Sequence, residues 1–271
     1  MSKLVNKEQL FSSERLDLAK IAQIAKLGIL TTTEAAMVLN LDPQKASLKL
    51  TSWVRRGWLR RIKRGVYLIP PLEAEPSRLT TPEDSWVLAH KIFYPCYIGG
   101  WSAAEHWNLT EQLFRSTLVV TGANIRQRKV NLLGNEFIMF KVQKNRLEGM
   151  SEIWRGNVKV MISSKERTIA DCLQNPEWCG GIRHLAEIYK NYKQETSADF
   201  DLLLSTIISQ TNGAALKRFG YLSDLIWPEK RHLLHTADIK LTQGNVKLDP
   251  SINDKGKLNT AWKIWVNSNT D

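Results

Sequence analysis

Between Glu14 and Leu27 the apolar residues Leu16, Ala19, Ile21, Ala22, Ile24, Ala25 and Leu27 recur at the three-to-four-residue spacing of a helix, and Gly28 ends the run. This predicts a helix over Glu14–Lys26. Thr31-Thr32-Thr33-Glu34 then has the spacing of a capping box, in which the hydroxyl and the carboxylate satisfy each other's backbone amides, so a short helix through Leu39 is expected. After the turn Asn40-Leu41-Asp42, Asp42 is placed to cap a third helix and Pro43 suits its first position. Ala46, Leu50, Trp53 and Val54 share its apolar face; Gln44, Lys45, Ser47, Lys49, Ser52, Arg55 and Arg56 are assigned to the opposite one. Gly57 stops the helix and Trp58-Leu59 open an extended segment. Arg60-Arg61-Ile62-Lys63-Arg64-Gly65 is a basic turn, and Val66 to Ile69 a return strand. Helix, short helix, turn, helix and charged hairpin is the element order of a winged helix-turn-helix.

The pattern changes at Pro70-Pro71, where Glu73, Glu75, Pro76 and Ser77 form an acidic, proline-containing linker. We place a boundary near Glu75, giving domains over 1–75 and 76–271. In the second, Thr81-Pro82-Glu83-Asp84 reads as a helix start, Tyr97-Ile98-Gly99-Gly100 as a short strand and turn, and Ser102-Ala103-Ala104-Glu105 as a second capping box. Leu118–Val120, Phe137–Val142 and Val158–Ile162 have strand composition between glycine-containing turns. From Ser163-Ser164-Lys165-Glu166 the helical period returns, with further helices over Ile182–Tyr192, Phe200–Gln210 and Ala214–Leu222. Val246–Pro250 and Ala261–Val266 close the chain as two strands. The expected class is therefore an α+β multidomain protein: a winged helix-turn-helix followed by a mixed α/β domain.

Charge distinguishes the two parts. The 271 residues carry a net +11, and 43% are hydrophobic, as in an ordinary globular protein rather than a disordered one. No acid lies between Asp42 and Glu73, whereas Lys45, Lys49, Arg55, Arg56, Arg60, Arg61, Lys63 and Arg64 all do. Such a block calls for phosphate. A membrane surface would need a broad bulky apolar face, and Trp53 and Val54 are better placed as core. Three scattered cysteines suit a reducing compartment; with no signal pattern and no long uncharged apolar run, a cytoplasmic protein without a membrane partner is expected.

Four stretches in order, LRRIKRGVYLIP, YIGGWSAAEHWNLTEQ, SSKERTIADCL and VKLDPSINDKGKLNTAWKIWVN, make the chain resemble the AbiEi antitoxins. These are the regulatory half of type IV toxin-antitoxin, or abortive-infection, phage-defence systems. The resemblance implies a winged helix that binds inverted repeats in double-stranded DNA of its own promoter and represses the operon (negative autoregulation), joined to a C-terminal antitoxin domain. It also implies a cognate nucleotidyltransferase-like toxin, neutralised without a stable complex. It transfers no catalytic motif.

On DNA, the N-terminal part of a recognition helix meets base edges and the rest meets phosphate. Gln44, Lys45, Ser47 and Lys49 are the expected base readers, since glutamine pairs bidentately with adenine and lysine donates to guanine. Arg55, Arg56, Arg60, Arg61, Lys63 and Arg64 are expected at phosphates or the minor groove, and Ser52 completes the polar face. RNA binding is a rival within the same fold, but no exposed aromatic platform stands in this window.

Enzyme chemistry is thinly supported. His232 and His235 lack the intervening glutamate of a zinc protease helix, and His90 and His106 sit among apolar residues. Glu105 and Glu166 are read as helix caps, Asp171 as the polar face of its helix, and Cys172, despite His184 downstream, as a buried thiol. Neither Gly99-Gly100 nor Gly180-Gly181 has the context of a phosphate-binding loop. The alternative reading is a nuclease or nucleotide-handling enzyme targeted by the winged helix, with Asp238 and Asp249 near Lys240 and Lys247 holding Mg²⁺. A stand-alone transcription factor is a third. We expect no enzyme activity, no cofactor and no metal. Trp101, Trp107, Trp154, Trp178, Trp227, Trp262 and Trp265 are read as core, any exposed one marking an interaction surface.

Overall fold

The computed structural model describes residues 2–25, 28–70, 84–147, 150–156, 158–236 and 241–270. It divides into two compact units: Met1–Tyr94 with Lys129–Phe137 and Trp154–Val160, and Pro95–Arg128 with Ile138–Ile153 and Met161–Asp271. The boundary expected near Glu75 lies outside the described residues, as do Thr81 to Glu83.

In the first unit run α1 (Ser2–Ile24), β1 (Ile29–Thr31), α2 (Thr32–Leu39), α3 (Pro43–Arg55), β2 (Arg60–Lys63), β3 (Val66–Leu68) and α4 (Ser85–Phe93). The strands form an antiparallel sheet in the order β1-β3-β2, and Ile21, Leu30, Ala35, Leu50, Trp53, Leu59 and Tyr67 make the core beneath it. Each boundary has a local cause. Thr31 Oγ1 accepts from the Glu34 amide at 3.2 Å while the Glu34 carboxylate accepts the Thr31 amide at 2.9 Å, completing the expected capping box. Asp42 accepts from the Lys45 amide at 2.9 Å, with Pro43 in the first turn of α3. Gly57 stops the helix with φ +77°, a left-handed conformation that glycine adopts without a Cβ penalty.

The apolar face of α1 is narrower than its periodicity predicts. Ile21 is buried and Leu18, Ile24 and Ala25 are half-buried, but Ala19 and Ala22 are exposed and Leu16 is 64% exposed. Glu14 and Asp17 take the inward positions, because cations of α3 stand opposite them.

Glu34 has a second task. Its carboxylate also pairs with Lys91 of α4, and although burial pushes its pKa up, the bonds from Lys91 and Thr31 hold it below the ordinary glutamate value. Thr31→Ala is expected to destabilise the first unit by about 1 kcal/mol, the usual worth of an N-cap. Urea denaturation followed by circular dichroism checks this; an unchanged midpoint would show the box to be dispensable.

The rest of the chain supplies β4 (Cys96–Ile98), α5 (Gly100–His106), β5 (Ser116–Thr121), β6 (Lys129–Leu132), β7 (Asn135–Lys141), β8 (Ser151–Arg155) and β9 (Val158–Ile162). Then come α6 (Lys165–Gln174), α7 (Ile182–Gln194), α8 (Phe200–Gln210), α9 (Gly213–Ile226) and α10 (Arg231–Thr236), and finally β10 (Val246–Lys247), β11 (Lys257–Asn259) and β12 (Ile264–Val266). A six-stranded sheet has the order β6-β7-β5-β4-β9-β8, with β4 antiparallel to β5 and parallel to β9. In the second unit α6 to α9 bury Ile169, Leu173, Leu185, Tyr189, Leu203 and Phe219 in one core. The chain is thus mixed α and β, as expected, and among the described residues no helix is long and apolar enough to cross a membrane.

Several local expectations need correction. Ser102 caps nothing: α5 already begins at Gly100, and the Ser102 hydroxyl accepts from the Leu118 amide at 2.9 Å, tying the helix to β5. The two terminal strands shrink to Val246–Lys247 and Ile264–Val266, since Trp262 turns the chain by donating its amide to Asn259 Oδ1 at 3.0 Å. Arg218 of α9 is buried and donates to the carbonyls of Leu173, Lys247 and Leu248, joining α6 to the last sheet; burial lowers its pKa to about 10.

Candidate nucleic-acid interface

Helix α3 points Ala46, Leu50 and Trp53 inward, so the direction directly opposite carries Gln44, Leu48, Thr51 and Arg55, spaced i, i+4, i+7 and i+11. Gln44, Lys45, Leu48 and Arg55 are exposed. Leu48 is absent from the expected polar face, because choosing positions by polarity rather than by their angle from Trp53 passes over a leucine; Thr51, half-buried, is the other residue of this stripe outside the expected set.

Of the eleven expected contact residues, Gln44 stands exposed at the N-terminal end of α3 and the other ten fall into three groups. Lys49 and Arg56 lie on the flank of α3 facing α1, where Lys49 pairs with Asp17 and Arg56 with Glu14. Lys49 is also 5.4 Å from the Trp53 ring centroid and Arg56 is 5.3 Å from that of Trp58. Two of the eight cations are therefore already opposed, by carboxylates more than thirty residues away in the chain. Lys63 is engaged too: its ammonium donates to the Ile92 carbonyl and lies 5.4 Å from the Phe93 ring centroid. Lys45 pairs loosely with the capping Asp42 at 3.3 Å, and both remain exposed.

Ser47 and Ser52 are half-buried, and the Ser47 carbonyl accepts the Thr51 hydroxyl at 2.8 Å. Arg55, Arg60, Arg61 and Arg64 are the exposed remainder. Among the described residues none of the four makes an ion pair. Arg60 and Arg61 stand in β2 opposite Leu68 and Tyr67, a register shift follows before Lys63, and Gly65 turns the hairpin at φ +80°. One arginine at the end of α3 and three on the wing make the free basic surface.

Also in the first unit, Thr31, Glu34, His90, Lys91, Tyr94, Val158 and Lys159 line a cavity of about 380 Å³. Among the described residues His90 Nδ1 is buried without a hydrogen-bond partner, and the ring packs edge-on to Tyr94; burial, with Lys91 nearby, lowers its pKa.

In the second unit the possible catalytic groups are held by the fold. Asp171 is not on a polar helix face. It is buried, accepting from Tyr97 Oη at 2.7 Å and Arg167 Nε at 2.9 Å, and burial raises its carboxyl pKa against the pull of Arg167. Arg167 spends its other nitrogens on Gln210 Oε1 and the Arg146 carbonyl, both at 2.9 Å. The Cys172 thiol is buried, with its pKa pushed well up by that burial. His184 bonds Thr110 at 2.7 Å and the Cys179 carbonyl.

Asp249 accepts the Ile182 amide at 3.1 Å and the Ser251 amide at 2.9 Å, while Lys247 donates to the carbonyls of Ile252 and Asn253, both at 2.8 Å. Asp238, Lys240 and the His235 side chain lie outside the described residues. Among the described residues no group of three or more His, Cys, Asp and Glu side chains is placed to hold a metal. Of the seven tryptophans read as core in this part of the chain, Trp154 is 64% exposed, under the Lys159 ammonium.

No curated protein matches the chain. Among solved structures, the RV2827C protein from Mycobacterium tuberculosis aligns with 91% of this chain and 88% of its own at a TM-score of 0.56 and 15% identity, a likeness of fold alone. The family match falls on the segment just described. Residues 17–70, from within α1 through the wing, match the model of the AbiEi antitoxin transcriptional regulators.

Proposed function

We propose that the chain is the antitoxin of a type IV toxin-antitoxin system. It binds inverted repeats in its own promoter through α3 and the wing, represses that operon, and counteracts a nucleotidyltransferase-like toxin through the α/β region that follows. In this reading it performs no chemistry of its own. The observation that carries the DNA half is the set of exposed arginines, Arg55, Arg60, Arg61 and Arg64, which form no ion pair among the described residues, on the wing and the adjoining end of α3 inside the matched segment. Gln44 and Lys45 stand at the exposed N-terminal end of α3, where a recognition helix meets base edges. In this reading Lys49, expected at base edges, and Arg56, expected at phosphate, hold α1 against α3 through their ion pairs and support the helix rather than contact DNA.

The test is fluorescence anisotropy of the full chain with its upstream DNA and with a scrambled duplex, across a salt series. The expected result is tighter binding to the promoter, weakening steeply with salt. Equal, weak binding to both duplexes would overturn the autorepressor role. Growth of cells expressing the neighbouring toxin gene, with and without this chain, tests the antitoxin half separately.

A further inference from the structure

At the centre of the outward stripe of α3 stands a side chain that phosphate binding does not explain. Leu48 is 72% exposed, one turn after Gln44 and two turns before Arg55, with Lys45 beside it. An exposed leucine alone is ordinary. This one occupies the position of the helix farthest from the core, in the same direction as Gln44 and Arg55.

Base edges in the major groove offer one apolar group, the C5-methyl of thymine, among hydrogen-bond donors and acceptors. We infer that Leu48 is a specificity residue that packs on a thymine methyl in the operator. The inference rests on the reading of α3 as the recognition helix, and it names what that helix prefers. From Gln44 to Leu48 the helix rises about 6 Å, against about 3.4 Å between successive bases on a strand. The thymine is therefore one or two base steps from the base that Gln44 meets. If Gln44 pairs with adenine, as glutamine geometry favours, the two contacts together read a short A·T-containing run. Thr51 lies on the same stripe but is half-buried, and its hydroxyl is spent on the Ser47 carbonyl.

The experiment replaces the thymines of the promoter duplex by deoxyuridine one at a time, a change that removes only the methyl. The full chain and its Leu48→Ala variant are titrated against each duplex. For the native chain, at least one substitution should weaken binding about fourfold, the worth of one buried methyl. Leu48→Ala should bind the thymine and uracil forms of that position alike, weaken on the unmodified promoter by at least as much, and keep the native salt slope. Leu48→Met, which keeps an apolar contact, should retain most of the preference.

A native chain indifferent to every deoxyuridine, or a Leu48→Ala variant that keeps the same thymine preference, would overturn the inference while leaving the operator-reading role intact. Loss of promoter preference in the native chain itself would instead defeat that role, and the inference with it. Circular dichroism of the variant confirms the fold, and light scattering on and off DNA shows whether Leu48 packs against a second copy; a change of mass on substitution would also count against the thymine contact.

Discussion

Changing Arg55, Arg60, Arg61 and Arg64 together to alanine should lower the magnitude of the logarithmic salt slope of promoter binding by between about three and four, since each phosphate contact contributes about 0.9. Affinity at moderate salt should fall by orders of magnitude, with little effect on folding, because among the described residues these side chains form no ion pair. The paired change Lys49→Ala with Arg56→Ala is the control. Its slope should move by less than one per residue, while thermal stability drops, because Asp17 and Glu14 of α1 lose their partners on α3. Half-exposed pairs of this kind are worth at most about 1 kcal/mol each. Anisotropy over a potassium chloride series separates the two variants. Should the Lys49/Arg56 variant lose the larger slope, the assignment of free and occupied cations would be wrong.

Asp171→Ala is expected to be the most damaging single change in the second unit, costing about 3–5 kcal/mol. It would leave the Arg167 guanidinium without its carboxylate and the Tyr97 hydroxyl without an acceptor, in a place closed to water. Chemical denaturation measures the loss. The double change Asp171→Leu with Arg167→Met removes both charges and should recover part of it, because a hydrophobic pair needs no desolvation. If the single variant unfolds at the native midpoint, the pair contributes nothing to the fold. If the variant remains folded but loses antitoxin activity, Asp171 has a part in function that its burial conceals.

The winged helix was legible because its signals are local. A capping box, an Asp-Pro helix start, a stop at Gly57 and a basic turn closed by Gly65 each act within a few residues, and each is found where it was expected. β1 was not seen. Three residues, Ile29 to Thr31, carry no period, and they become a strand because β3 is there to pair with them. β6, β8 and β11 escaped for a related reason: short strands borrow their hydrogen bonds from neighbours that the local pattern does not name.

At the candidate interface, the sequence by itself determined the element, its polarity and its charge. Lys45, Lys49, Arg55, Arg56, Arg60, Arg61, Lys63 and Arg64 are basic in any conformation, and a helix capped at Asp42 must turn Ala46, Leu50 and Trp53 to one side. Only the tertiary structure decided which of those charges stay free. That selection depends on what packs alongside: Asp17 and Glu14 reach Lys49 and Arg56 across 32 and 42 positions of chain, and the Ile92 carbonyl reaches Lys63 across 29. The same packing sets the angle of α3, and so places Leu48 where a list of polar residues would never put it. Local propensity acts over a turn of helix, whereas an ion pair needs only proximity in space, which the whole fold supplies.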